Sequence, residues 1–242
     1  MDLDSLGLVM PFGSDSQMAF EDSGFVILET GLDVSALYEL FESHYLSKFT
    51  HDSVKNRNLI KIFTNDPVVS SVMLAPGILE QLGCYQQHPV ATGPIVSHWT
   101  STDTTGSGFG LPFHQDWPSM GTSSRSIVCW LPLRNVDHNG HSIEVIPGSH
   151  NRGALPGKQT EAGYLVDIDE GYESQVLEVK QGQILFMSAW LVHRTFVNPA
   201  CPPADFKLAL SQRFDDLEDP YWRDRGFVSA YHTAVDRNLW RQ

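Results

Sequence analysis

Short apolar runs separated by turn residues dominate the chain from about residue 88. They read PIVSHWT, GFGLPFHQDW, SSRSIVCWLPL, HSIEVIPGS, YESQVLEVK, QILFMSAWLV and FKLALSQRF, with TGSG, DHNG, PGSH and KQGQ between them. Seven or eight short strands at this spacing predict an all-β sandwich or barrel. Asn139-Gly140 predicts a hairpin between the WLPL and IEVI runs. The architecture that fits is a jelly roll, two packed sheets whose interior holds a site. The run QILFMSAWLVHRT predicts one strong strand ending at His193.

Before residue 88 the texture is mixed α and β. GFVIL, residues 24–28, is a short strand candidate. Asp33 caps a predicted helix with Val34, Leu37, Leu40, Phe41 and His44 or Tyr45 on one face. Pro67 to Met73 and Ile78 to Tyr85 are further helix candidates, with Pro76 and Gly77 as the break between them. These helices are expected to pack outside the sheets. No repeat, low-complexity block or long linker interrupts the chain. The expectation is a single domain over residues 1–242, with helical support at 15–87, a jelly-roll core at 88–215 and a tail at 216–242.

Charge narrows the function. Sixteen Lys and Arg against 29 Asp and Glu give a formal charge of -13. That excludes a phosphate-backbone binder, which needs basic patches, so no nucleic-acid partner is expected. The N-terminus has acidic residues and no long apolar run, which predicts neither a signal peptide nor a membrane span and makes cytoplasmic location the default. Cys84, Cys129 and Cys201 form no CxxC pair, so they are expected to be free thiols.

The chemistry starts at LPFHQDWPSMG, residues 111–121. Residues two apart on a strand share a face, so His114 and Asp116 present an imidazole and a carboxylate side by side, and Gln115 points away. Buried charge is costly unless paired or bound to metal. Two histidines and one carboxylate, with open positions opposite, form the site of non-haem Fe(II) oxygenases. A third ligand must come from the remaining histidines. His44 and His51 lie in the helical region, His138 and His141 flank the Asn-Gly turn and look solvated, and His232 sits in a polar tail. His88 and His98 precede the core strands and read as structural, and His150 ends VIPGSH, where a hydrogen-bonding role fits. His193 remains, at the end of an apolar run where a polar group needs a reason.

HQDW at 114–117, WLPL at 130–133, IEVIPGSH at 143–150, GQILFMSAWLVHR at 182–194 and KLALSQRF at 207–214 occur in the order and spacing of the phytanoyl-CoA dioxygenase-like family, and over roughly residues 15–230 the chain resembles it. The resemblance implies a mainly β fold with flanking helices, a double-stranded β-helix of the cupin-like kind. It implies an Fe(II)- and 2-oxoglutarate-dependent dioxygenase, with His114, Asp116 and His193 as the metal ligands and catalytic centre. Related halogenases lack the carboxylate, so Asp116 points to hydroxylation of a C–H bond or another oxidation. The partners implied are a small-molecule substrate, 2-oxoglutarate and O2, with succinate and CO2 released.

The far carboxylate of 2-oxoglutarate needs a buried cation. The family places an Arg on the strand after the distal His; here Lys207 stands in that place, somewhat later in the chain, and Arg213 on the same strand face is the backup. Lys supplies charge as a point donor and not a bidentate fork. Ser97 and Thr100, on the strand before the HxD hairpin, are further candidates to reach the cosubstrate. Trp117 is a candidate for the substrate mouth, and Arg125 for an anionic substrate or for solvent. Trp130, Trp190 and Phe186 fit core and pocket equally. Two alternatives stay open: a jelly-roll metal enzyme that does not use 2-oxoglutarate, such as a cupin-like isomerase or another dioxygenase, and a degenerate, non-catalytic binding protein. Neither substrate identity nor oligomeric state is readable.

Overall fold

The computed structural model describes residues 13–50, 52–101, 110–120, 123–160, 163–168, 171–202 and 205–219. The TGSG turn, residues 108–109 of the HxD run, His51, His232 and the tail beyond residue 219 lie outside the described residues.

Helices come first. α1 (Ser14–Ser23) leads into β1 (Phe25–Glu29), followed by α2 (Ser35–His44), α3 (Ser53–Thr64), α4 (Pro67–Met73) and α5 (Pro76–Gly83). Local chemistry sets their starts. The Asp52 carboxylate accepts from the backbone N–H groups of Val54 and Lys55, and that of Asp66 from Val68 N–H. Pro67 and Pro76 stand in first turns, where a missing N–H costs nothing. Pro76 therefore opens a helix instead of merely separating two. Asp33, the expected cap of α2, stands one residue too early: Val34 occupies the cap position without a side-chain bond, and Asp33 accepts from Ser35 N–H at 3.0 Å. α1 and α3 are additions to the elements read from the sequence.

The strands follow: β2 (Pro89–Ser101), β3 (His114–Gln115), β4 (Ile127–Pro132), β5 (Ser142–Val145), β6 (Gly157–Thr160), β7 (Gly163–Val166), β8 (Gln175–Val176), β9 (Gln183–Ser188), β10 (His193–Phe196) and β11 (Phe206–Asp216), with the short α6 (Trp117–Met120) after β3. They form two antiparallel sheets. One has the order β1-β9-β4-β11-β2 and the other β6-β7-β3-β10-β5-β8. This is a double-stranded β-helix, the jelly roll expected.

The five-stranded sheet is covered on both faces, so its strands read as continuous apolar runs instead of alternating ones. Ile127, Cys129 and Leu131 of β4 and Leu208, Leu210 and Phe214 of β11 pack with Phe20, Phe41, Phe63 and Met73 of the helical layer. Burial of each such side chain contributes roughly 1.5–3 kcal/mol. The other faces, with Val128, Trp130, Leu185, Met187 and Ala209, meet Ile143, Val145 and Leu177 between the sheets.

Two expectations fail at the points where the chain changes sheets. Asn139-Gly140 does not close a hairpin: β4 and β5 belong to different sheets, and the Asp137 carboxylate ties the turn by accepting from the N–H groups of Asn139 and Gly140. The QILFMSAWLVHRT run is not one strand either. It ends at Ser188, turns through a Leu191 N–H to Ser188 carbonyl bond, and His193 opens β10 in the opposite sheet. His141, which looks solvated in the sequence, is 3% exposed. No single helix among the described residues is long and apolar enough to cross a membrane.

Candidate metal centre

β3 and β10 are antiparallel neighbours, and their register sets His114 directly opposite His193. The two rings sit 4.2 Å apart, centroid to centroid. Asp116 follows at the bend into α6. That bend is held by Gln115, which does point away from the site: its amide donates to the carbonyls of Gly153 (2.9 Å) and Trp190 (2.5 Å) and accepts from Leu155 N–H. The three ligand atoms of His114, Asp116 and His193 lie within 4.8 Å of one another, and all three residues are buried.

Hydrogen bonds behind the triad fix what it presents. Nδ1 of His114 meets the Pro112 carbonyl at 2.8 Å, and Nδ1 of His193 meets the Leu191 carbonyl at 2.9 Å. A carbonyl only accepts, so each Nδ1 carries the proton and each Nε2 turns a lone pair inward. Asp116 Oδ1 lies 3.5 Å from His114 Nε2. Three inward electron-pair donors with no proton among them fit a divalent cation. Two imidazoles and one carboxylate suit Fe(II) with positions left open.

Electrostatics agree. Burial would raise the Asp116 carboxyl, but the neighbouring positive charge, that of the Arg213 guanidinium above all, holds it well below the usual carboxylate range. Arg213 Nη2 donates to Asp116 Oδ2 at 3.0 Å. Burial, then the neighbouring His114, pushes His193 down to about 4, so it stands neutral as a ligand must.

Lys207, Ser211 and Arg213 of β11 line the same cavity as the triad. Lys207 is 3% exposed. Its Nζ donates to the Ser142 carbonyl at 2.9 Å and lies 5.8 Å from the Trp130 ring. No carboxylate among the described residues pairs with it. Desolvation lowers it to about 7. A buried ammonium without a counter-ion suits an incoming anion.

The sequence profile of phytanoyl-CoA dioxygenase matches residues 24–199. The chain belongs to this family. Its members are non-haem iron- and 2-oxoglutarate-dependent oxygenases. A curated relative, 1-deoxypentalenic acid 11-beta-hydroxylase from Streptomyces arenae, is 23% identical over 138 residues, 53% of this chain and 47% of that protein. The chain thus spans about half the length of the curated relative it matches. Among solved structures, the non-haem monooxygenase ThoJ in its apo form superposes with a TM-score of 0.63 at 17% identity, over 83% of this chain and 77% of that one. The 2-oxoglutarate-dependent carbocyclase SnoK from nogalamycin biosynthesis gives 0.62 at 14% identity, over 91% and 89%. At these identities the superpositions establish the shared fold.

The remaining candidates of this family member scatter. Trp117 does not border the cavity: it is buried, stacked on Trp190 with centroids 3.8 Å apart, and its Nε1 donates to the Ser123 carbonyl. Arg125 is exposed and engaged by the Tyr85 carbonyl at 3.1 Å, away from the triad's cavity. Ser97 and Thr100 border an outer cavity, not the inner one. His98, read as structural, borders both cavities and meets Ser211 Oγ at 2.8 Å. Desolvation, then the Arg213 and Lys207 charges, pushes His98 down to about 3. Thr195 also lines both cavities. Its position, two after His193 on β10, was the available signal. His150 Nε2 donates to the Glu21 carbonyl at 3.0 Å, the hydrogen-bonding role expected of it.

Proposed function

We propose that this protein hydroxylates an unactivated C–H bond of a small-molecule metabolite. The observation that carries the reading is the inward-facing, buried His114–Asp116–His193 triad in one cavity with the uncompensated Lys207. His114, Asp116 and His193 would hold Fe(II), and Lys207 would receive the C5 carboxylate of 2-oxoglutarate. When bound, iron and 2-oxoglutarate supply the oxidation: the cosubstrate and the C–H bond together reduce O2, giving alcohol, succinate and CO2.

The chain's own residues prepare that chemistry. Arg213 keeps Asp116 ionised and turns Oδ1 inward. The Pro112 and Leu191 carbonyls lock both imidazoles in the ligating tautomer. Apolar walls from Val128, Trp130, Ile143 and Met187 restrict water. No side chain need act as a general base. The retained carboxylate favours hydroxylation over halogenation.

The test is an anaerobic titration of Fe(II) into the apoprotein, with and without 2-oxoglutarate, following the visible metal-to-ligand charge-transfer absorbance. A band that needs both components and disappears in His193→Ala is expected. Tight iron binding with no band overturns the use of 2-oxoglutarate, and no iron binding overturns the metal centre. Succinate and hydroxylated product in equal amounts then test the reaction type.

A further inference from the structure

The interior does not end at the triad. His98, Leu111 and Thr195 border the triad's cavity and also a second, larger one beyond them. Two cations of α3, Arg57 and Lys61, stand in the wall of this outer cavity, which Trp99 and Thr100 of β2 also line. In a chain of net charge -13, α3 is an exception: it carries Lys55, Arg57 and Lys61 and no acidic residue. Arg57 and Lys61 are four apart, on one face of the helix, and like charges at that spacing destabilise it. Neither forms an ion pair among the described residues. The helix dipole accounts for Lys61, in the last turn, but not for Arg57. An anion between the two would relieve the repulsion, and a guanidinium fork suits either a carboxylate or a phosphate.

We infer that Arg57 and Lys61 receive an anionic group, a carboxylate or a phosphate ester, at one end of the primary substrate, which extends past Leu111 and Thr195 so that its C–H bond meets the metal centre. The inference rests on the oxygenase reading of the triad. It makes the substrate anion separate from the cosubstrate anion, which Lys207 serves in the inner cavity. Trp99 supplies an apolar wall for the carbon chain between.

The experiment uses the anaerobic complex with Fe(II) and 2-oxoglutarate, titrated calorimetrically with hexanoate, hexyl phosphate and the neutral hexanamide. At least one anion is expected to bind tenfold or more tighter than the amide, and the tighter of the two identifies the head group. The preference disappears in Arg57→Gln/Lys61→Gln and survives in Arg57→Lys/Lys61→Arg. Both cations are exposed, so their replacement removes no core contact, and an unchanged charge-transfer band in each variant verifies that fold and metal centre are intact. Binding of hexanamide equal to the anions, no binding of either anion, or a preference that persists in the Gln variant overturns the inference. A missing band in the unaltered protein overturns the oxygenase reading instead, and the anion preference is then measured on the protein alone.

Discussion

Arg213 donates from Nη2 to Oδ2 of Asp116 across 3.0 Å, while Oδ1 of the same carboxylate faces His114 Nε2. The two oxygens thus face different ways, one tied to β11 and one turned toward the histidines. Arg213 Nη1 continues to Ser211 Oγ at 3.3 Å, and Ser211 Oγ meets His98 Nε2. The carboxylate is held by a chain of polar groups along β11 and β2, and its rotation is fixed before any metal arrives.

The first prediction concerns this pair. Asp116→Ala removes a proposed metal ligand and also strands a guanidinium whose side chain is only 11% exposed. Breaking a buried pair from one side costs about 3–5 kcal/mol. The variant is therefore expected to lose stability as well as iron. Arg213→Met in the Asp116→Ala background should restore part of the loss, and urea unfolding of the four proteins measures the coupling. Simple additivity would mean that the pair does not stabilise the fold. Arg213→Met alone should weaken Fe(II) binding by about 10–100-fold, as loss of a group that orients a ligand does. The depressed Asp116 carboxyl stabilises fully above the unfolded value near 4 and loses that contribution as pH falls through its native value.

A second prediction tests the PGSH turn. α1 ends at Gly24, with φ +84 and its N–H donating to the Phe20 carbonyl at 2.8 Å. A Cβ there would lie 2.5 Å from His150 Nδ1. The turn holds the helix through His150 Nε2 to Glu21 and through Gly148 N–H to the Ser23 carbonyl. Gly24→Ala should cost about 1–2 kcal/mol for the left-handed backbone, and overpacking should add about 1–3 kcal/mol. Thermal unfolding measures the sum; an unchanged Tm would show that the turn yields freely.

What was legible in the sequence follows from periodicity. His114 with Asp116, and Lys207 with Arg213, are spaced for one strand face, and the structure lines one cavity with all four. Corners between sheets were not legible. Ala189, Leu191 and Val192 are as buried as the strand before them, so hydrophobicity alone continues the strand through the turn that delivers His193. Gly157–Thr160 lacks an apolar run and went unseen as β6. Arg57 and Lys61 look like an ordinary solvated helix face, and only the packing of α3 beside β2 turns that face toward a cavity.

The last prediction concerns pH. Lys207 has no counter-ion among the described residues, and desolvation lowers it to about 7, so its charge changes near neutrality. If its charge receives the C5 carboxylate, 2-oxoglutarate binds the protonated form. Affinity should be greatest below pH 7 and fall by up to about tenfold per pH unit above it, until the raised value of the bound state is reached. Lys207→Arg keeps its charge throughout this range and should flatten the profile. Lys207→Met should bind weakly at every pH. Stability of the ligand-free protein moves the other way. Between about 7 and 10.5 the unfolded lysine holds a proton that the native one has released, so native stability rises with pH across that window. The charge-transfer band, titrated with 2-oxoglutarate from pH 6 to 9, measures the affinity. A flat profile in the unaltered protein, or tight binding by Lys207→Met, would assign the carboxylate to another group, with Arg213 next in line through its buried and unpartnered Nε.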